Sequence, residues 1–329
     1  MGATLIDICM ATYNGGEYLA QQIDSIRSQS FNEWRLLVSD DGSSDDTIAL
    51  INKYCGLDSR ICNVSALNPF HSATKNFMYL LASSSSPYVM LCDQDDFWLP
   101  DKVELTLKKM NQLESLFGQS VPLLVYTDAI VVDSSLSVIK HSFVQGLSFK
   151  PGSVSLPQLL VSNVVQGCTV MVNRCAVLNA LSSPIPDAFA YHDHWLAVTT
   201  MACGHIGFLK RKTLLYRQHE NNVVGADATL NLFEKLANGL KRFLTPGSIR
   251  NAYSKESLFA LRAKALLDST LPVRCSYFDD LRQLSSFGSC RILDKIKLIS
   301  RYSLLRDVGI YGSLTQLFVL LLGGYISND

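Results

Sequence analysis

The chain has 329 residues, 48% hydrophobic and 18% charged. That composition supports a packed core, as one large domain with an appendage or as two modest domains, and argues against wholesale disorder. A formal net charge of +0 leaves no basic footprint of the kind nucleic acid requires. The balance is uneven, however. Residues 1–225 hold 15 basic and 20 acidic side chains, net −5, against 14 and 9, net +5, in residues 226–329. This reads either as two parts facing different partners or as chance spread over two solvated surfaces.

In chain order, short apolar runs alternate with helical patterns, the sign of a parallel α/β sheet. The spacing predicts a strand over 5–11 and a helix over 17–29 with Leu19, Ile23 and Ile26 on one face. A second strand covers 34–39 and runs into the turn Asp41-Gly42-Ser43. Ser43 and Asp46 then resemble a capping box opening a helix over 45–54. A helix over 74–82 and the polar loop 83–86 precede a buried strand over 88–92, which ends directly in Asp93. A helix over 101–117 and a strand over 123–132 follow. Beyond residue 156 the pattern loosens: Pro184 and Pro186 mark a loop, 194–203 reads as helix, and 206–209 and 214–216 read as two strands. After about Ala226 strand signals fade, which puts a soft boundary there.

The nine cysteines are odd in number and contain no C-x-x-C pair, and Cys9 and Cys92 lie in apolar runs. Reduced thiols of a cytosolic protein are expected. No basic segment followed by an apolar one opens the chain, so no signal peptide is expected. Residues 308–326 carry no charge and follow Lys295, Lys297, Arg301 and Arg306. Gly309, Gly312, Gly323 and Gly324 interrupt them. Three readings stay open: a segment lying on an anionic membrane surface, a helix buried against the protein, or a membrane span.

The chemistry centres on Asp93-Gln94-Asp95-Asp96, three carboxylates in four residues after a buried strand. In an open α/β sheet ligands bind beyond the carboxyl ends of the strands. Clustered carboxylates repel one another unless a cation neutralises them, and Mg²⁺ or Mn²⁺ prefers oxygen ligands and keeps phosphate oxygens in its shell. The alternative is a solvated acidic turn capping the next helix. Asp40-Asp41-Gly42-Ser43 and Thr12-Tyr13-Asn14 close two further strands on the same rim, and three polar strand ends are hard to explain by solubility alone.

The runs 11–16 (ATYNGG), 38–45 (VSDDGSSD) and 91–98 (LCDQDDFW) together resemble glycosyltransferase family 2 over roughly residues 4–225. The resemblance implies a GT-A fold, a Rossmann-like nucleotide-diphospho-sugar transferase domain over 1–225. Residues 226–329 would be a helical, basic, membrane-associating extension. It implies inverting transfer from a nucleoside-diphosphate sugar with Mn²⁺ or Mg²⁺ as cofactor. Thr12, Asn14, Asp41 and, less directly, Asp40 would hold the nucleotide, and Asp93 the ribose or the metal. Asp95 would bind the metal and His219 complete its shell, or His219 is a surface histidine. Lys75 would touch the diphosphate or stand solvated on its helix. Tyr191-His192-Asp193-His194-Trp195 resembles the family's acidic motif at a helix start, with Asp193 as general base. The alternative for Asp193 is a helix N-cap. Residues 163–169, with Gly167 and Cys168, resemble the loop lining the acceptor pocket. Asp96, Trp98, His192, Trp195 and Arg217 are further pocket candidates, with Arg217 facing phosphate. His192 and His194, two residues apart, do not share a helix face, so joint metal ligation is not expected.

The pattern as a whole resembles bacterial O-antigen and capsule hexosyl- and rhamnosyltransferases. It implies a UDP- or dTDP-sugar donor and a lipid-linked saccharide acceptor, such as an undecaprenyl-diphosphate saccharide, at the cytoplasmic face of the inner membrane. A β-1,3-glucosyl- or galactosyltransferase and an α-rhamnosyltransferase using dTDP-rhamnose both fit. A transferase-like scaffold without catalysis is the rival of another class. Neither G-x-G-x-x-G after a strand nor G-x-x-x-x-G-K-[ST] occurs, which counts against nucleotide-dependent oxidoreductases and kinases on other α/β folds.

Overall fold

The computed structural model describes residues 6–145, 147, 149–220 and 257–305, together with 316, 317, 320 and 321. Contacts divide the chain into two compact units. The first extends through Gln145 and takes in Val165–Arg217, and the second gathers the segment between them and the chain from Gln218 onward, apart from Thr270–Pro272.

The first unit is built on one nine-stranded mixed sheet. Strand β1 (Ile6–Thr12) lies between β2 (Trp34–Asp40) and β4 (Tyr88–Cys92), all parallel, and β3 (Ile61–Asn63) extends β2 in parallel. Strands β1, β2 and β4 are buried on both faces, so they read as continuous apolar runs and not as alternation. Their crossovers are α1 (Gly16–Arg27), α2 (Thr47–Leu57) and α3 (Ala73–Ser83). Helix α1 buries Leu19, Ile23 and Ile26, the face its spacing predicts.

Beyond β4 the sheet stops being parallel. Strand β8 (Val170–Asn173) runs antiparallel between β4 and β6 (Leu123–Val132). The long β9 (His205–Arg217) runs parallel to β6, the two-residue β5 (Phe97–Trp98) pairs antiparallel with β9, and β7 (Val138–Lys140) pairs with the end of β6. Helix α4 (Lys102–Phe117) packs beside this half. The two strands expected at 206–209 and 214–216 are one. Lys210, Arg211 and Lys212 look like a loop in sequence, but the backbone pairs on past them while the register against β6 shifts near Thr127 and Asp128. Helix α6 (Arg174–Leu181) and helix α7 (His192–Cys203) complete the first unit.

The start of α2 also differs from expectation. Ser43 bonds Asp40, and it is Asp45 whose carboxylate accepts the Thr47 N–H at 3.0 Å and the Gly16 N–H at 2.9 Å. The second unit contains α5 (Leu156–Val161), opened by a capping box of Ser155 and Gln158, and helices α8 (Leu258–Asp268), α9 (Cys275–Ser285) and α10 (Ile292–Tyr302). The Arg262 guanidinium on α8 donates to the Leu160 carbonyl at 2.7 Å, closing the carboxyl end of α5. The nine cysteines, all among the described residues, are free thiols. Among the described residues no helix is long and apolar enough to cross a membrane. The segment 308–326 lies outside them except for 316, 317, 320 and 321.

Candidate active site

Parallel register brings the polar strand ends together. Thr12 pairs with Asp40 across β1 and β2, and Met10 pairs with Cys92 across β1 and β4, so the loops after all three strands open on one rim. Thr12 Oγ1 donates to Asp40 Oδ1 at 3.0 Å. The other oxygen of Asp40 accepts the Gly42 and Ser43 N–H groups at 3.0 and 2.8 Å. Gly42 has φ of 88°, a conformation that favours glycine, and its turn puts both amides on one carboxylate. Asn14, at φ 46°, donates its N–H to Ser43 Oγ and accepts the Ser44 N–H, each at 2.8 Å. Thr12, Asn14, Asp40 and Asp41 are therefore neighbours, as expected.

Their bonding is more structural than the sequence suggests. Asp41 is buried, and its oxygens accept the N–H groups of Phe70, His71 (3.0 Å) and Ser72 (2.7 Å), the approach to α3. A carboxylate is favoured there because helix starts leave amides unsatisfied. Lys75 stands exposed on the first turn of α3.

The acidic loop meets the second half of the sheet. Ligand atoms of Asp93, Asp96 and Cys168 lie within 4.8 Å of one another. Burial, then the charges of Asp95 and Asp193, push the Asp93 carboxyl up to about 7. Burial and the charges of Asp95 and Asp93 push Asp96 well above the carboxylate range. Asp96 Oδ1 accepts the Arg217 N–H at 3.1 Å, while its buried Oδ2 has no hydrogen-bond partner. Burial also drives the Cys168 thiol far up, which disfavours a thiolate nucleophile there.

Asp193 lies in the first turn of α7, two residues inside the N-cap Tyr191, so the N-cap alternative does not hold. Its Oδ2 accepts the Gly167 N–H at 3.1 Å and its Oδ1 the His194 N–H at 2.6 Å. A Cβ on Gly167 would stand 3.5 Å from the Asp193 Cβ and 3.4 Å from His192 Nε2, so the loop and the helix start are closely packed.

Several pocket candidates turn out to be core. Trp98 and Trp195 are fully buried, and Trp195 Nε1 donates to the Ala180 carbonyl at 3.0 Å. His192 and His194, expected at the pocket or in solvent, are both buried. His192 stacks on Phe77 with ring centroids 4.0 Å apart, and burial lowers it to about 3, so it stays neutral. Helix α7 packs between sheet and helices and has no solvated face there, which a period-based reading of one short helix does not reveal. Arg217, expected to face phosphate, is buried as a cross-brace. It donates to the Asp95 carbonyl at 2.7 Å, to the Ser134 carbonyl and to Gln21 Oε1, and its guanidinium lies 4.4 Å from the Tyr18 ring centroid. His219 belongs to the second compact unit.

Oxygen donors dominate the cluster, one of them buried and unpartnered, and mutual repulsion raises the carboxyls. That set suits a hard divalent ion such as Mn²⁺ or Mg²⁺. Residues 7–123 match the family model for glycosyl transferase family 2. That segment is a family 2 glycosyltransferase domain.

The similarity extends past that segment. The chain is 26% identical to the dTDP-rhamnosyl transferase RfbG of Shigella flexneri over 271 residues, 79% of this chain and 86% of the relative. It is 25% identical over 213 residues to the β-1,3-glucosyltransferase WfgD of Escherichia coli, 61% of this chain and 75% of the relative. Among solved structures, residues 1–349 of Staphylococcus aureus TarS with UDP-GlcNAc match with a TM-score of 0.54 at 15% identity, over 98% of this chain and 91% of that one. The chain covers 42% of another TarS chain. A mannosyltransferase of Pyrobaculum calidifontis in complex with GDP-Man and Mn²⁺ matches with a TM-score of 0.52 at 13% identity, over 99% and 87%. At these identities the structures show the GT-A fold.

Two residues of the glycosyltransferase site escape sequence reasoning. Lys102 is fully buried, its Nζ 4.7 Å from the Trp98 ring centroid and 3.4 Å from Thr213 Oγ1. Burial lowers it to about 8, with Asp96 among the neighbouring charges. Its place on the Lys102–Thr106–Met110–Leu113 face was the available signal. Gln94, between two acids, gave no signal at all.

Proposed function

We propose that the glycosyltransferase moves a hexose from a UDP- or dTDP-sugar to a lipid-linked saccharide acceptor during assembly of a bacterial surface polysaccharide such as O antigen or capsule. The β-1,3-glucosyl or galactosyl transfer implied by its motif pattern is the leading reading. The longer match to the dTDP-rhamnosyl transferase favours dTDP-rhamnose as the second. The observation that carries the proposal is the convergence of Asp93, Asp96 and Asp193 on the Gly167–Cys168 turn at the carboxyl rim of the sheet.

In this reading Thr12 and Asn14 line the nucleotide side. Asp41 acts on that side chiefly by holding the 70–72 loop. Asp93 and Asp95 hold Mn²⁺ or Mg²⁺, which when bound neutralises charge on the departing diphosphate. Asp193 takes the proton of the acceptor hydroxyl. The hydroxyl oxygen bonds to the anomeric carbon as the carbon–oxygen bond to the diphosphate breaks on the opposite face, inverting the centre. Two backbone amides fix the orientation of the Asp193 carboxylate. Residues 1–225 are the catalytic domain, and the net basic residues 226–329 keep the enzyme at the cytoplasmic face of the inner membrane.

The test is a panel of UDP-, GDP- and dTDP-sugars with Mn²⁺ and a synthetic diphosphate-lipid saccharide, run with the intact protein and with Asp95→Asn and Asp193→Asn. Transfer by the intact protein and loss in both variants is expected. No transfer or donor hydrolysis by the intact protein would leave the non-catalytic scaffold as the reading, and full activity of both variants would refute the site.

A further inference from the structure

The backbones of β1 and β4 pair up to Met10 and Cys92 and then diverge into the two loops that the proposed function assigns to the nucleotide and to the metal. Across the gap, one side chain restores a ladder. Gln94 Oε1 accepts the Tyr13 N–H at 2.9 Å, and Gln94 Nε2 donates to the Tyr13 carbonyl at 3.0 Å. The primary amide thus occupies both backbone groups of Tyr13, as a neighbouring strand would. Tyr13 lies between Thr12 and Asn14, and Gln94 lies between Asp93 and Asp95. Gly15 makes room for the bridge: a Cβ there would stand 2.2 Å from Gln94 Oε1.

The geometry points to Gln94 as a positioning residue that sets the spacing between the nucleotide half-site and the metal–diphosphate half-site. It touches neither the sugar nor the reacting atoms. Its contribution is specific to ligands that span both loops, because a fixed spacing turns the second contact into an intramolecular one. A ligand confined to one loop does not sense that spacing. The inference rests on the functional reading above, and the experiment separates the two.

Binding is measured for three probes: UDP with Mn²⁺, uridine alone, and pyrophosphate with Mn²⁺, with dTDP and thymidine as a parallel set. Gln94→Met keeps the side-chain length and removes both hydrogen bonds. It is expected to weaken the nucleoside diphosphate about tenfold, as two modest hydrogen bonds allow, with each half-ligand within about twofold of wild type. Gly15→Ala, which pushes the Gln94 tip aside without altering that residue, is expected to give the same pattern. It also keeps the test alive should Gln94→Met fail to fold. The double variant is expected to be no weaker than either single one, since both open one bridge. Unchanged diphosphate binding in either variant, equal weakening of the half-ligands, or additive losses in the double variant would overturn the positioning role alone. A wild-type protein that binds neither UDP nor dTDP with Mn²⁺ would overturn the functional reading and this inference with it.

Discussion

The two halves of the sheet hold their half of the site by different physics. In the half containing β3, β2, β1 and β4, the apolar strands β2, β1 and β4, buried on both faces, fix the register, and the polar strand ends follow from that register. In the half containing β8, β6, β9 and β5, the strands are short or irregular and specific polar braces finish the work. The Arg217 guanidinium ties the acidic loop, the Ser134 turn and α1 together, and Asn173 on β8 accepts the Leu123 N–H at 3.0 Å and donates to the Val121 carbonyl at 2.8 Å. A half held by many interchangeable apolar contacts tolerates substitution better than one held by few directional ones.

The largest effects are expected at the site itself, where the halves meet. Asp95→Asn on the first side and Asp193→Asn on the second are expected to lower kcat by about a thousandfold or more, roughly 4 kcal/mol, while Asp193→Asn also loses one of its two acceptors for backbone N–H groups, about 1 kcal/mol of stability. Loss in only one of them, measured by donor turnover, would mean that a single half carries the chemistry.

Arg217→Met comes next. It takes the guanidinium partner from the Asp95 and Ser134 carbonyls and removes the buried brace under the acidic loop, at an expected cost of about 3 kcal/mol in urea unfolding. A loss under about 1 kcal/mol would show the second half to be held by packing after all.

Gly204→Ala sharpens the same point at the entry to β9. Its Cβ would stand 1.9 Å from the Pro122 carbonyl oxygen, a backbone atom that cannot swing aside. A loss of about 2–3 kcal/mol is expected in the same assay.

The smallest effect belongs to the first half. The Arg60 guanidinium, with burial opposing it and Arg27 assisting, holds Asp58 down at about 2. A carboxyl whose folded value is depressed stabilises the fold above its unfolded value near 4 and loses that contribution as pH falls toward about 2. The pair is partly solvated, so screening limits it to about 1 kcal/mol or less. The urea midpoints of wild type and Asp58→Asn should therefore differ slightly at pH 7 and converge only as pH falls to about 2.

By itself, the sequence determined the elements whose signal is local. The helix α1 face, the strands Tyr88–Cys92 and Leu123–Val132, helix α4 to within a residue of its start, and the acidic strand ends were all legible, because burial on a regular period leaves its mark within a short window. Only the tertiary structure decided the rest. Strands β3, β5, β7 and β8 are too short to carry a period, and the Lys210–Arg211–Lys212 run hides the continuity of β9. The sequence likewise could not say that Arg217 braces while Asp193 faces Asp93, or that Gln94 reaches Tyr13. Those roles depend on which groups meet across 81 to 196 residues of chain, and a side chain's partner is fixed by the folded register and not by its neighbours in sequence.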